Sequence, residues 1–374
     1  QVYRNEFERS WNKISGFTGG RDLQNILTTP EDYLNEPYYL LLTGQRNSNN
    51  KDEKIILGDN AREYLSQGIQ SELYTSFSLL DFKHTVNTGI RFHQDQINRH
   101  HTEEKFVMED FSLNPDDGIT IPTTTDLEKT DAIAVFIEDT ISLYALDLTV
   151  GLRGEFFDSY YQNQAVEKSE DWLKKESSIL LPSISGFYTL SDHAGLLFGI
   201  HEGFIPTSPK QSPNVEVENS INYELGGRYN NGNTSIEAIA FYNDVKNLKE
   251  SCSFSTASSC GTNLDTEYTS GKASVYGVEF SSTYTHGLNN GLDLPLSLVY
   301  TYTSSEFKEP FDSDFPMWGN VAVGDAVPYL PDHQITATIG LMGDAWEINL
   351  LGRYIDSMLE ASGENVVLSG VSTK

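Results

Sequence analysis

Apolar and polar residues alternate along most of this chain. In SINYELGGRY, Ile221, Tyr223, Leu225 and Tyr229 interleave with Asn222, Glu224, Gly226 and Arg228. Val86 to His93, Leu148 to Phe156, Tyr276 to Tyr284 and Trp346 to Tyr354 repeat the pattern. A period of two gives a β-strand with one apolar and one polar face. About thirteen such segments can be counted, most of about 10–14 residues, longer than the ~5–6 of an ordinary globular sheet. No helical periodicity competes with them, although DNAREYLSQ reads as a short helical turn.

The connections discriminate between folds. DFKH, SDHAG, NNGN, HGLNNG and GDA are short turns rich in Gly, Asn and Asp. Between them lie long connections at His100–Thr130, Gln162–Ser177, Thr207–Asn219, Lys249–Lys272 and Ser304–Asp332. Strict alternation of short and long is what an outer-membrane barrel shows, with short periplasmic turns and long extracellular loops. In lipid every backbone N–H and C=O must be paired, so only a closed barrel serves. The expected fold is therefore an all-β, antiparallel up-and-down transmembrane barrel. Its apolar faces meet lipid, and Arg153, Glu155, Glu224, Arg228, Glu279 and Arg353 line the lumen. Tyr223, Tyr276 and Trp346 are expected outward. Tyr160, Tyr161, Tyr242, Tyr300, Tyr302 and Tyr354 are expected in an interfacial girdle. A soluble sandwich that buries its apolar faces has the same period.

Composition fits the barrel. The chain has 374 residues, 38% hydrophobic content and a net charge of −29, yet 20 Tyr and 19 Phe. No apolar run approaches the ~18 residues of a membrane helix, and no signal peptide is visible at QVYRNEFERSW. The acidic balance argues against nucleic-acid binding, which needs basic patches. Cys252 and Cys260, the two cysteines, lie in a Ser-rich loop. They read as a local disulfide of an oxidising compartment, against unlinked thiols as the alternative. Nothing nearby completes a metal site, and no cofactor is expected.

HExxH, CxxC, GxSxG, Walker A and GxGxxG are all missing from the sequence, so no enzyme is expected. Acidic residues concentrate in RHHTEEKFVMEDFSLNPDDG and FKEPFDSDFPMWGNVAVGD. They read as solvated loop surface, or as a divalent-cation bridge to anionic lipopolysaccharide. Against this acidic rim, Arg91, His93, Arg99 and His101 share one parity on the strand rising into the first long loop. Guanidinium suits carboxylate recognition, so Arg99 and His101, with His93 beneath and His201 on another strand, are ligand candidates. Trp318, in a long loop, is a candidate to close over the ligand. The competing role is structural pairing with neighbouring Asp and Glu, which suits the deeper Arg91 better.

Four segments in order carry a family resemblance. SINYELGGRY, GIHEGFIPTSP, YTSGKASVYGVEFS and VPYLPDHQITATIG resemble recurrent strand motifs of TonB-dependent outer-membrane receptors, most nearly the ferric dicitrate group. The resemblance implies import of a ferric chelate of citrate or siderophore type by a monomer in the bacterial outer membrane. It implies energy supply from TonB–ExbB–ExbD through a plug domain. About thirteen strands fall short of the 22 such a barrel has. Residues 1–374 are thus expected to be one partial barrel domain, with the plug and the C-terminal aromatic strand absent. The alternatives kept open are a passive porin-like channel and a soluble secreted β-protein binding glycans.

Overall fold

The computed structural model describes all residues except 166–170, 212–214, 253–265, 289–290, 316, 364–366 and 369–374. Its first strands are β1 (Val2–Arg9), β2 (Asn12–Phe17), β3 (Ile55–Leu79), β4 (Phe82–Glu109) and β5 (Ser112–Leu143). Then come β6 (Leu146–Asn163), β7 (Leu173–Ser191), β8 (Ala194–Ile205), β9 (Glu218–Asn230) and β10 (Thr234–Lys246). Two three-residue strands, β11 (Lys249–Ser251) and β12 (Glu267–Thr269), precede β13 (Lys272–Gly287) and β14 (Asp293–Phe307). The pair β15 (Phe311–Asp312) and β16 (Asn320–Val321) precedes β17 (His333–Gly343) and β18 (Trp346–Ile355).

One sheet of 14 strands dominates, running β1-β3-β4-β5-β6-β7-β8-β9-β10-β13-β14-β17-β18 with β2 also on β3. Every ladder in it is antiparallel, and β1 and β2 lie end to end against different stretches of β3. The sheet therefore has thirteen lanes, one fewer than its strands. Among the described residues no ladder joins β1 to β18. Tight turns at 80–81, 144–145, 192–193 and 344–345 lie at one end, and the long connections at the other. Leu80 and Asp81 both have positive φ, at 51° and 66°. That is the backbone of a two-residue hairpin turn whose twist matches its strands.

The register sorts side chains into two faces. Tyr223, Tyr242 and Tyr276 are neighbours across β9, β10 and β13, with ring centroids 6.1 and 6.3 Å apart. Tyr300, Tyr302, Tyr354 and Trp346 share that face, which is mostly Ile, Leu, Val, Phe and Ala, with Ser282, Ser304 and the pair His84–Asp139 among the exceptions. Glu224, Arg228, Glu279 and Arg353 take the opposite face. The apolar face is open: Leu225 is 64% exposed, Ile348 66% and Leu350 71%. So wide an exposed apolar band is a membrane-contacting surface. On β5 it runs from Ile133 to Leu143. At ~3.3 Å per residue and a ~45° tilt that spans about 25 Å, the height of a barrel's lipid band.

Several expectations need correction. DNAREYLSQ is not helical but lies inside β3. The expected loop 100–130 is instead a continuation of β4 and β5 as one hairpin turning at Asp110–Phe111. Its residues escape a period-two test because both faces there are polar. Strands are also longer than expected: β3, β4 and β5 have 25, 28 and 32 residues. Tyr161 is not in the girdle, because its register partners Glu128 and Leu173 put it on the polar face.

The connection from β2 to β3 forms a small subdomain with helices α1 (Leu23–Thr28) and α2 (Glu36–Leu42). Phe17, Ile26, Leu41, Ile55 and Met108 make its core. Glu53 is buried beside it and accepts from Arg46 at 2.8 Å and from the Asn49 N–H at 2.7 Å. Burial opposes the charge on Glu53, but the Asn49 N–H and the Arg46 guanidinium outweigh it and lower the carboxyl below its usual range.

Two outcomes are expected. Leu225→Arg should cost the bilayer-inserted barrel ~2–4 kcal/mol, whereas Glu224→Gln should change stability by less than ~0.5 kcal/mol. Urea titration in vesicles measures both, and equal effects would reject the face assignment. The lowered Glu53 carboxyl supports the subdomain above its unfolded value of 4.5 and loses that contribution as pH falls through and below it. Protection against hydrogen exchange over 18–54, taken relative to the intrinsic rate at each pH, should thus fall in acid, and Glu53→Gln should flatten that dependence.

Candidate functional site

At the long-loop end, the polar face carries a row that no linear reading reveals. Arg9, Arg62 and Arg99 are successive register partners across β1, β3 and β4, followed by Asp126 on β5. Like charges placed directly opposite one another destabilise a sheet, so such a row needs compensation. Arg99 is buried and donates to Asp126 at 2.9 Å and to Glu128 at 3.0 Å. Arg9 lies 4.9 Å from the Trp11 ring centroid and 5.9 Å from that of Tyr64. Arg62 donates through Nε to His101 Nε2 at 3.2 Å. The row thus sets three guanidinium groups side by side, with Arg99 held by Asp126 and Glu128.

Arg62 and Arg99 line a cavity of about 540 Å³. Its far wall comes from the connections after β8 and β10, through Ser208, Lys210, Gln211, Ser251 and Glu267. Lys210 sits 5.7 Å from the Tyr161 ring centroid, so the inward tyrosine joins the two walls. The connections are tied together by Lys249, which donates to the Pro206 carbonyl at 2.9 Å and meets Glu267 at 3.6 Å. Its backbone N–H donates to Glu218 at 2.7 Å. Burial lowers Lys249 and raises Glu218 and Glu267.

The other expected residues are distributed as follows. His101 is buried, one register row beyond Arg99, opposite Asn60 and Thr124. His93 lies below in the same column, beside Arg91 and Tyr3. Its Nδ1 accepts from Arg91 at 3.0 Å, so its Nε2 donates to Asp95 at 2.6 Å. His201 is not brought to this cavity; it borders a separate 400 Å³ depression with Glu224 and Arg228. Arg153 pairs along its own strand with Glu155 at 2.6 Å, and Arg228 pairs with Glu237 on β10 at 2.5 Å. Among the described residues no such pair joins Arg228 to Glu224.

Trp318 is 2% exposed, in a loop core with Phe307, Phe311 and Phe315 at centroid distances of 6.1, 5.7 and 5.3 Å. Closing over a ligand would require it to leave that core. Cys252 is buried in the same core and disulfide-bonded, while Cys260 lies outside the described residues. Sequence reasoning missed Arg9 and Arg62. Arg9 shares its parity with Tyr3 and Phe7, so its inward facing, like its meeting with Arg99, depends on strand register.

Fold and wall now meet their relatives. The chain matches the family model "TonB dependent receptor-like, beta-barrel" over residues 2–370 and belongs to that family. The family is one of outer-membrane receptors, not enzymes. A pesticin receptor of Yersinia enterocolitica is 23% identical over 199 residues, 49% of this chain and 27% of that protein. Among solved structures, the unliganded ferric citrate transporter FecA is similar with TM-score 0.62 and 22% identity, covering 81% of this chain and 43% of that one. BauA, the ferric preacinetobactin receptor of Acinetobacter baumannii, is similar with TM-score 0.62 and 13% identity, covering 95% and 48%. The chain thus spans less than half the length of these relatives.

Trp318→Ala should empty the loop core and cost ~3–5 kcal/mol locally. Proteolysis of the connection between β14 and β17 should accelerate by at least tenfold, while Trp318→Phe stays near the parent. An unchanged cleavage rate in the alanine variant would show that Trp318 does not hold these loops.

Proposed function

We propose that this chain forms the wall of an energised outer-membrane transporter that takes in an anionic ferric chelate of citrate or another carboxylate type. The row Arg9–Arg62–Arg99, in which Arg62 and Arg99 line a cavity at the long-loop end, is the observation that carries the reading. Guanidinium forks match carboxylate oxygens in pairs, and a partly buried site strengthens each such bond. Similarity to the ferric citrate transporter supports the same ligand class. The long loops are extracellular and the short turns periplasmic.

Each residue then has a part. Arg62 meets the ligand, Arg9 extends the row beside it, and Arg99, fixed by Asp126 and Glu128, completes the wall. His101 orients Arg62, while His93 and Arg91 hold the wall beneath. His201 lies further along the path, and Trp318 steadies the loops above it. Energy comes from TonB–ExbB–ExbD through a plug that contacts the lumen charges Arg153, Glu155, Glu224, Arg228, Glu279 and Arg353. The transporter works as a monomer among outer-membrane lipids and lipopolysaccharide.

The test is ferric citrate binding to the full gene product. Arg62→Gln and Arg9→Gln should each weaken it about tenfold, since a charge-assisted hydrogen bond contributes ~1.5–3 kcal/mol. Arg99→Ala should impair assembly as well, because it strands Asp126 and Glu128. Unchanged affinity in the Arg9/Arg62 double variant, or preference for a cationic chelate, would overturn the proposal.

A further inference from the structure

On the apolar face of β1 to β6, the boundary between apolar and polar residues is a single step in register. Val2, Ile69, Phe92, Ile133 and Phe156 are successive neighbours, and all five are exposed. Two residues along each strand stand Arg4, Gln67, Gln94, Asp131 and Asp158. A groove of about 1040 Å³ runs between the two rows and on to Glu176 and Ser178 of β7.

The polar row is hydrogen-bonded from Arg4 to Asp131. Arg4 donates to Gln67 at 2.9 Å, Gln67 to Gln94 at 2.7 Å, and Gln94 to Asp131 at 2.7 Å. Lys129 meets the other Asp131 oxygen at 2.6 Å. Its polar atoms are satisfied sideways, so the row tolerates a layer with little water. Above it, Lys129 and Lys174 lie 5.6 and 5.7 Å from the Tyr160 ring centroid, and Trp172 meets that ring edge-on at 6.3 Å. Lys174 spends two contacts on Asp158 and Glu176, at 3.1 and 2.6 Å, and Lys129 one on Asp131. An ammonium has three donors, so among the described residues both lysines keep at least one for an incoming anion.

We infer that this groove binds a phosphorylated, multi-acyl glycolipid of the outer leaflet. Its chains lie on the apolar row, its sugars along the glutamines and the exposed Trp172, and a phosphate at Lys129 and Lys174. Six lanes at ~4.8 Å spacing make the groove about 24 Å long, which favours a disaccharide head with several chains over a single phospholipid. The inference rests on the long-loop end facing outward, as proposed above, and not on which chelate is carried.

The experiment uses the purified full gene product, delipidated in detergent and titrated with two probes. These are a bisphosphorylated, hexa-acylated disaccharide lipid and a phosphatidylglycerol of the same chain length, read by native mass spectrometry. The disaccharide lipid should bind at least tenfold more tightly. Lys129→Gln/Lys174→Gln should remove about tenfold of that preference, as for one lost charge-assisted bond. Gln67→Leu/Gln94→Leu, which breaks the row without touching a charge, should reduce it as well. Equal binding of the two lipids by the parent protein, or a preference that survives both double variants, would overturn the inference. The parent comparison stands even if a variant fails to assemble. Labelling an introduced Phe111→Cys from outside intact cells checks sidedness separately.

Discussion

A strand in lipid has no water to satisfy its backbone, and that constraint organises everything else in this molecule. It requires continuous ladders, and continuous ladders impose a strict two-residue alternation. The open apolar face, the tyrosine neighbours Tyr223, Tyr242 and Tyr276, and the inward Glu224 and Arg228 all follow from it. The polar face is then free to vary, because charge there is solvated or paired. Its residues build the cavity wall, while the alternate residues hold that wall in the membrane.

Register converts this alternation into a site. Arg9, Arg62 and Arg99 are far apart in the chain and belong to three strands. Only a specific pairing sets them side by side, and a one-residue slip of β3 would turn Arg62 outward. Asp126 and Glu128 hold Arg99, whereas Arg9 rests on aromatic rings. The row thus gathers three guanidinium groups in a chain of net charge −29.

How much of this was legible in the sequence depends on how local the physics is. Strand existence and facing were, because period two is a local property: Tyr223, Tyr276 and Trp346 lie together, opposite Glu279 and Arg353. Strand ends were not, because Thr120 to Thr125 and His100 to Glu104 lie beyond the apolar band, where neither face need be apolar. The helices α1 and α2 are too short to show a period. Of the site, the column Arg91, His93, Arg99 and His101 was readable by parity. Arg62 was hidden inside a segment read as helix, and the burial of Trp318 depends on loop packing that no linear pattern encodes.

The overshoot of β4 and β5 beyond the membrane band has an electrostatic consequence. Their tip carries Glu109, Asp110, Asp116 and Asp117, and the arginine row lies ten residues below Glu109. At ~3.3 Å per residue and a ~45° tilt, the two are separated by about 23 Å of height. That is nearly three Debye lengths of ~8 Å at physiological salt. The acidic crown and the cationic wall are therefore decoupled. An anion meets the repulsion of this tip while it passes it, and at the row the tip carboxylates no longer set the potential.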